Sequence, residues 1–346
     1  MITRHFSNST NSFKLCSFGL LVLTGSLSSN IYAGSSLSKS AIKCDQLAAV
    51  ATNPDNPSSV VPVTYEEIDA KKAISACTQA IADYPQTPRF QFQLARAFDK
   101  NNQHVQALRL YQPIAEQGYA PAQSNLGAMY GSGKGVQQSN QNAIQWYQRA
   151  ANQGFAIGQN NLATHYQNGT GIQQDFKKAI ELYKKSADQG YYQAQYNLGS
   201  AYFYGKGVNQ SYPKAVEWYE KAAAQKSDIA AFNLGVLYEK GDVIPLSYDD
   251  AIRSYTSAAN RGYGPAQINL GVLYKEGTAT PRSDSNALRW FREAAEQEYP
   301  VAQYNMGIMY EEGRGVAKSK PEAIKWYRRA ANHGYREAIL RLREIS

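Results

Sequence analysis

Histidine, cysteine and methionine are scarce in this chain of 346 residues, which has four histidines, three cysteines and four methionines. The histidines are His5, His104, His165 and His333. None has a second ligand at the short spacing that zinc sites use, so the sequence predicts no metal site and no cofactor. Acidic pairs such as Glu311–Glu312 fall at turn and helix-start positions, and we predict no catalytic pair of carboxylates.

Long apolar runs are also absent, except for LCSFGLLVLTGSL from Leu15 to Leu27. Basic Arg4 and Lys14 precede most of this run and the small residue Ala33 follows it, a pattern typical of an export signal cleaved after Ala33. The run is shorter than the ~20 residues of a membrane-spanning helix. We therefore expect the mature protein to be periplasmic or secreted, with no integral membrane segment.

Only two cysteines remain in the mature chain, because Cys16 lies inside the signal. Cysteines in an exported protein most often pair, so we predict a disulfide between Cys44 and Cys77. The alternative is two buried or free thiols. A bond would attach a short first helix, within residues 38–51, to the rest of the protein.

Positive charge is in moderate excess. The net charge is +8, and removing residues 1–33, with Arg4 and Lys14, leaves +6. The basic residues are spread along the chain and become denser only near its end. A nucleic-acid groove needs a denser basic stripe, so we predict no nucleic-acid partner.

A motif of 36 residues recurs six times without a gap. The copies begin at Ala120, Ala156, Tyr192, Asp228, Gly264 and Pro300. A fixed period of this size marks one supersecondary unit that buries its apolar face against copies of itself. Apolar and small residues follow helical spacing in both halves of each copy, so each unit is predicted to be a pair of helices.

Two series of residues mark helix ends. Glycines suited to the left-handed residue after a helix are Gly133, Gly169, Gly205, Gly241, Gly277 and Gly313. Side chains suited to capping the next helix are Ser139, Asp175, Ser211, Ser247, Ser283 and Ser319. Mid-helix glycines such as Gly127 and Gly307 cost ~1 kcal/mol relative to alanine, and we interpret them, with Ala163 in the second copy, as sites of close helix approach.

The pattern AxAQxNLGxxYxxGxGV followed by AIxWYxxAAxxGY resembles the Sel-one-like repeat, a relative of the tetratricopeptide repeat. Upstream, the segment from Leu94 resembles a tetratricopeptide unit with a shorter turn. The resemblance implies an all-α, right-handed superhelical solenoid of antiparallel helix pairs. We predict a signal peptide at 1–33, N-terminal helices with tetratricopeptide-like repeats at 34–119, six Sel-one-like repeats at 120–335 and a capping helix at 336–346.

The fifth, ninth and twelfth places of each unit lie on one face of its first helix. The resemblance implies that this face lines a concave groove, where tetratricopeptide relatives hold peptides or partner domains. From the third copy onward the face is aromatic or aliphatic at its centre. We predict that it binds a protein partner through Tyr196, Phe203, Phe232, Val236, Ile268, Val272, Tyr304 and Ile308, here called the stripe. Alternatively, these side chains fill the gap to a neighbouring helix.

Catalysis is not predicted. Ser36–Lys39 and Ser211–Lys214 have the Ser-x-x-Lys spacing of β-lactamases, but the accompanying elements are missing and Ser211 stands at a cap position. The resemblance implies an exported, non-enzymatic scaffold that acts as an adaptor or inhibitor of an envelope protein. The alternatives are an immunity protein that neutralises a delivered toxin such as a phospholipase, a secreted factor that binds host proteins, and a β-lactamase-like hydrolase.

Two further observations leave alternatives open. Copies four and five have GDVIP and GTATP where the family turn is GxGV. These turns are either loops that have diverged in sequence or parts of a contact surface. Asn168 and Asn209 begin glycosylation sequons that matter only if the chain is a eukaryotic adaptor of the endoplasmic reticulum.

Overall fold

The computed structural model describes residues 37–50, 55–277 and 281–345. The predicted signal at 1–33, with its cleavage site after Ala33, and Ser36 lie outside the described residues. The compact unit that contains the helices begins at Ser38. The described residues form helices and connecting turns and no strand, which confirms the all-α prediction.

Successive helices pack against each other in chain order. They are α1 (Lys39–Ala48), α2 (Ala70–Asp83), α3 (Pro88–Lys100), α4 (His104–Glu116), α5 (Ala120–Ser132), α6 (Asn140–Asn152), α7 (Ala156–Asn168), α8 (Phe176–Asp188), α9 (Tyr192–Tyr204), α10 (Tyr212–Ala224), α11 (Asp228–Lys240), α12 (Tyr248–Ala259), α13 (Gly264–Glu276), α14 (Asp284–Glu296), α15 (Pro300–Glu312), α16 (Lys320–Asn332) and α17 (Arg336–Ile345). The arrangement is the predicted α-solenoid of helix pairs. None of the described helices is long and apolar enough to cross a bilayer.

Turn chemistry explains where the helices stop and restart. The six predicted glycines all adopt the left-handed conformation, with φ between 64° and 73°. The six predicted capping residues all stand at helix N-caps, and all except Ser211 accept a backbone N–H from the first turn. Each cap residue also donates its own N–H to a tyrosine carbonyl of the preceding helix, as Ser211 does to Tyr202 at 2.9 Å. The turn of every copy is therefore closed by the same hydrogen bond.

The mid-helix glycines lie against buried aromatic rings of the second helix, as interpreted from the sequence. A β-carbon built on Gly307 would lie 2.3 Å from Cε1 of Tyr327, and one on Gly271 would lie 2.5 Å from Cε1 of Phe291. Both rings are fully buried. In the second copy Ala163 takes the glycine's place and packs in the same core cluster as Tyr183.

The tryptophans behave differently from the tyrosines beside them. Trp290 is buried, whereas Trp146, Trp218 and Trp326 are half-buried. Each of these three carries a cation over its ring, from Arg149, Lys221 and Arg329 at 4.1 to 4.6 Å. They pack against the core with one side only.

Buried glutamines join consecutive units, a feature that the sequence reasoning missed. Nε2 of Gln195 donates to the carbonyl of Ala187 at the end of the preceding unit, 3.3 Å away. Its Oε1 accepts from Nε2 of Gln225 at 2.8 Å. The same pairing recurs in other copies, at Gln123 with Gln153, Gln159 with Gln189 and Gln267 with Gln297.

Copies four and six break the glutamine pairing. In the fourth, Ala231 replaces the first glutamine, and Arg261, at the place of the second, pairs with Asp228. In the sixth, Gln303 is buried, but His333 stands where the second glutamine would be. Among the described residues nothing donates to Oε1 of Gln303.

We expect His333→Gln to raise the free energy of unfolding by about 0.5–1.5 kcal/mol, because a buried acceptor gains its donor. The urea midpoint of unfolding measures this change. Arg261→Gln is the matched control: it introduces the same amide in the fourth copy, where Ala231 offers no oxygen, and should not stabilise the protein. An unchanged midpoint for His333→Gln would contradict the assignment.

The N-terminal helix is fixed covalently and by a buried charge. Cys44 and Cys77 form the predicted disulfide, with their Cα atoms 4.7 Å apart. Next to it, the fully buried Asp45 accepts a hydrogen bond from Nε2 of Gln93 at 3.0 Å and pairs with Arg89 at 3.3 Å. Because Gln93 and Arg89 belong to α3, these contacts attach α1 to two different helices.

Candidate partner-binding site

The stripe residues lie on four successive first helices, α9, α11, α13 and α15, with two residues on each. All eight are half-buried. They form a row of four pairs, since each pair packs against a different core cluster. The structure therefore places the predicted residues in one line and does not gather them into a single pocket.

Three of the four aromatic rings of the stripe contact a buried tyrosine of the second helix. Ring centroids are 5.7 Å apart for Tyr196 and Tyr219, and 5.4 Å apart for Tyr304 and Tyr327. These separations are typical of favourable aromatic pairs. Each of these three rings thus fills the gap to a second helix with one side and leaves part of its surface to solvent. The fourth, Phe203, packs on Tyr204 and Tyr212 instead, with ring centroids 4.8 and 5.4 Å apart.

The buried tyrosines also reach polar side chains at the ninth and twelfth places of the first helices, which the sequence reasoning did not foresee. The Tyr219 hydroxyl lies 3.1 Å from Oγ of Ser200. The Tyr255 hydroxyl donates to Oε2 of Glu239 at 2.5 Å. Burial, with the neighbouring Glu239 carboxylate, raises the pKa of Tyr255 above its usual value, so this phenol stays protonated as a donor.

A cavity of about 430 Å³ adjoins the stripe at the ends of α11 and α13. Val236 of the stripe lines it, together with Glu239, Lys240 and Tyr255. Its volume is within the ~300–1,000 Å³ of ligand pockets. A side chain of a bound partner could enter here, beside the apolar Val236.

The altered turn of the fourth copy has a structural role. Val243 and Ile244, in the GDVIP sequence, are half-buried and pack against the core cluster that contains Tyr219. The turn therefore covers core residues. Residues 278–280, within the GTATP turn of the fifth copy, lie outside the described part of the chain.

The C-terminal helix closes one end of the stripe. Arg341 of α17 pairs with Glu311, which also accepts from the Tyr327 hydroxyl at 2.7 Å. The hydrogen bond from Arg341 is the main reason that the pKa of Glu311 lies below its usual value. On the same side, Tyr335 packs on Tyr304 with ring centroids 5.3 Å apart. These contacts fit the predicted capping role of this helix.

The described serine–lysine pair makes structural contacts. Ser211 is the N-cap of α10, and the ammonium of Lys214 lies 5.3 Å from the centre of the Tyr202 ring. Within the described ranges no group of three or more histidine, cysteine or acidic side chains is placed to hold a metal.

The repeats match the family model described as Sel1 repeat. The seven matches cover residues 92–119, 120–155, 156–191, 193–227, 228–263, 264–299 and 300–335. The last six coincide, to within one residue, with the copies read from the sequence. The first covers the whole segment from Leu94 to Tyr119 that was compared with a tetratricopeptide unit, so this segment matches as a seventh Sel1 repeat.

Solved structures of the same kind are similar to this chain. A protective antigen of uropathogenic Escherichia coli with an SLR fold is 30% identical at a TM-score of 0.68, over 78% of this chain and 58% of the antigen. A Sel1 repeat protein from Oxalobacter formigenes is 29% identical at a TM-score of 0.60, over 69% of this chain and 96% of that protein. This chain therefore spans little more than half of the antigen.

An immunity protein from Pseudomonas aeruginosa is 21% identical at a TM-score of 0.37, over 64% of this chain and 81% of that protein, a likeness too distant to bear on function. No curated protein sequence matches the chain.

Proposed function

Because this chain belongs to the Sel1 repeat family, we propose that it is an exported, non-enzymatic scaffold that binds a protein partner through the stripe. Its role is that of an adaptor or inhibitor of an envelope protein. The observation that carries the proposal is the row of eight half-buried apolar side chains on consecutive first helices. Packing of the core alone does not require a continuous row of apolar side chains on a face that is partly open to solvent.

Export is supported by two independent features. The N-terminal sequence has the basic, apolar and small-residue order of a signal peptide. The Cys44–Cys77 disulfide is of the kind that persists in oxidising compartments outside the cytoplasm. In the proposed division of the chain, residues 34–119 and 336–346 flank the six repeats, the last four of which carry the stripe.

The stripe has the physical properties of a binding surface. Three of its four rings are held against buried tyrosines, so ordering them on binding costs less conformational entropy than ordering free side chains. Aromatic residues fixed in this way are the type that dominates interface energy. The complementary partner surface is an apolar segment long enough to contact several units.

Alanine substitutions in the stripe test the proposal. The bait is the mature protein, with envelope extract as the source of partner and mass spectrometry as the readout. We expect Phe232→Ala and Tyr304→Ala each to weaken capture of the same partner by about tenfold or more, since buried aromatic anchors contribute ~2 kcal/mol at interfaces. Circular dichroism and the thermal midpoint establish that the variants are folded.

The matched control is Tyr166→Ala. Tyr166 is half-buried like the stripe residues but lies on α7, a first helix that carries no stripe residue. The substitution removes an aromatic ring of similar size and should leave capture unchanged. Equal capture by folded Phe232→Ala, Tyr304→Ala and wild-type protein would refute the stripe as the binding site.

A further inference from the structure

The face that carries the stripe continues into the unit upstream of the six copies. Aligning Leu94 with Leu126 puts Phe92, Arg96 and Asp99 of α3 at the fifth, ninth and twelfth places. In the later units the ninth place holds a small, hydroxyl or aliphatic side chain. Here it holds a guanidinium.

Arg96 is buried without a neutralising partner. The residue is 5% exposed, and its Nη1 donates to the carbonyl of Ala48 at 2.5 Å. In the described part of the chain no carboxylate lies within ion-pair distance of it; Glu66, an exposed residue, acts on it only from farther away. By contrast, the half-buried Arg89 has Asp45 at 3.3 Å. A buried guanidinium stays charged and is costly unless anionic or polar groups satisfy it.

A cavity of about 250 Å³ lies beside this guanidinium. Its polar lining includes Arg96, Tyr65, Tyr111 and Asn125, and Phe92 and Ile157 contribute to its apolar lining. The Asn125 amide donates to the Tyr111 hydroxyl at 2.8 Å, which leaves the hydroxyl proton of Tyr111 available.

Two other charged residues line the cavity. The carboxylate of Asp99 is occupied, since Oδ2 accepts from the Tyr65 hydroxyl at 2.9 Å and Oδ1 lies 2.8 Å from Nδ1 of His104. Lys134 is exposed and adds a second positive charge. The cavity lining therefore carries two positive charges, from Arg96 and Lys134, and its one carboxylate, that of Asp99, already has hydrogen-bond partners.

We propose that this cavity binds a carboxylate group carried next to an apolar side chain. A guanidinium matches the planar, bidentate geometry of a carboxylate, and the Tyr111 hydroxyl supplies a further donor. Asp99 would oppose the second charge of a phosphate dianion, so a monoanion is favoured. The apolar wall fits a leucine-sized side chain. Such chemistry occurs at the C-terminal residue of a polypeptide and in a free apolar acid. The site lies outside the stripe, and its ligand need not be the partner proposed above.

Binding of four probes to the folded mature protein tests the proposal. They are N-acetyl-leucine, N-acetyl-leucine amide, and the peptide acetyl-Gly-Gly-Gly-Leu with a free or an amidated C-terminus, each titrated by calorimetry or NMR. We expect the two acids to bind at least tenfold more tightly than the two amides, because only the acids form charge-assisted hydrogen bonds. Tighter binding of the peptide acid identifies a polypeptide end as the source, and equal binding identifies a free acid.

Arg96→Gln is expected to remove the preference for acids over amides, and Arg96→Lys to keep part of it. The control is Arg109→Gln, which removes one positive charge from an exposed position of α4 that does not line the cavity. The acid–amide comparison uses wild-type protein, so it remains decisive if Arg96→Gln fails to fold. Equal binding of acids and amides to wild type, or an undiminished preference in folded Arg96→Gln, would overturn the proposal.

Discussion

Replacing Cys44 and Cys77 together by alanine is expected to lower the free energy of unfolding by about 3–4 kcal/mol. The two cysteines are 33 residues apart, so the bond removes the closure entropy of a loop of that length from the unfolded chain. Both side chains are fully buried, and truncation adds a small loss of packing. The first helix buries little apolar surface of its own, because it is ten residues long with few large side chains, and apart from the disulfide it depends on polar contacts with α2 and α3.

Denaturant unfolding of the oxidised protein, the reduced protein and the double variant measures this loss. Reduced wild-type protein should match the variant to within the small packing difference. Hydrogen exchange should show α1 opening before the later repeats in both, since the contacts that α1 keeps are small buried side chains and polar bonds, among them Ser40 with Asp83, Asp45 with α3 and Arg96 with Ala48. A loss below 1 kcal/mol in the double variant would show that α1 is held without the disulfide.

The fold could be predicted from the sequence because the residues that end and begin each helix recur at the same positions in six copies. A single glycine between helices is ambiguous, but six glycines in one phase predict the left-handed residue that Gly133 and Gly313 adopt. Capping serines were identified in the same way. Each helix end and each helix start depends on neighbouring residues only, so the sequence contains the information needed to predict them.

Contacts between helix ends that are distant in sequence could not be read in this way. The pairing of Gln195 with Gln225 is repeated as regularly as the caps, yet its meaning depends on which helix ends meet across a distance of 30 residues. The repetition of both glutamines at that separation was the available signal. A buried amide predicts a hydrogen bond, but the sequence does not name its partner.

The sequence predicted which positions form the candidate site, but it did not predict how buried these positions are. Helical spacing is enough to put Phe232 and Val236 on one face of α11. Whether such a face is open or covered depends on the distance to the next helix and on the size of Tyr255 beneath it. In the structure Phe232 and Val236 are half-buried. Arg96 escaped notice because the shorter turn of the upstream unit shifts its register by four residues relative to the 36-residue period.

Substituting Gly307 by alanine is expected to destabilise the protein by about 1–3 kcal/mol, although alanine is the better helix former by ~1 kcal/mol. The new β-carbon would lie 2.3 Å from the Tyr327 ring. That ring cannot move aside easily, since it is fully buried, packs on Tyr304 and donates its hydroxyl to Glu311. Overpacking therefore outweighs the gain in helix propensity.

Gly131 provides the matched control for Gly307→Ala, because it is also helical but has only Cβ of Ala143 near a built β-carbon, at 3.7 Å. Gly131→Ala should stabilise the protein by about 0.4–1 kcal/mol through helix propensity and the unfolded chain. If urea denaturation shows a lower free energy of unfolding for Gly307→Ala and a higher one for Gly131→Ala, the effect of close packing is separated from that of helix propensity. The natural Ala163 shows that the second copy accommodates this methyl group beside its buried Tyr183, whereas a single change at Gly307 is made in a unit that has no such methyl group. Stabilisation by both substitutions would mean that Tyr327 yields readily and that close packing is not the reason for glycine here.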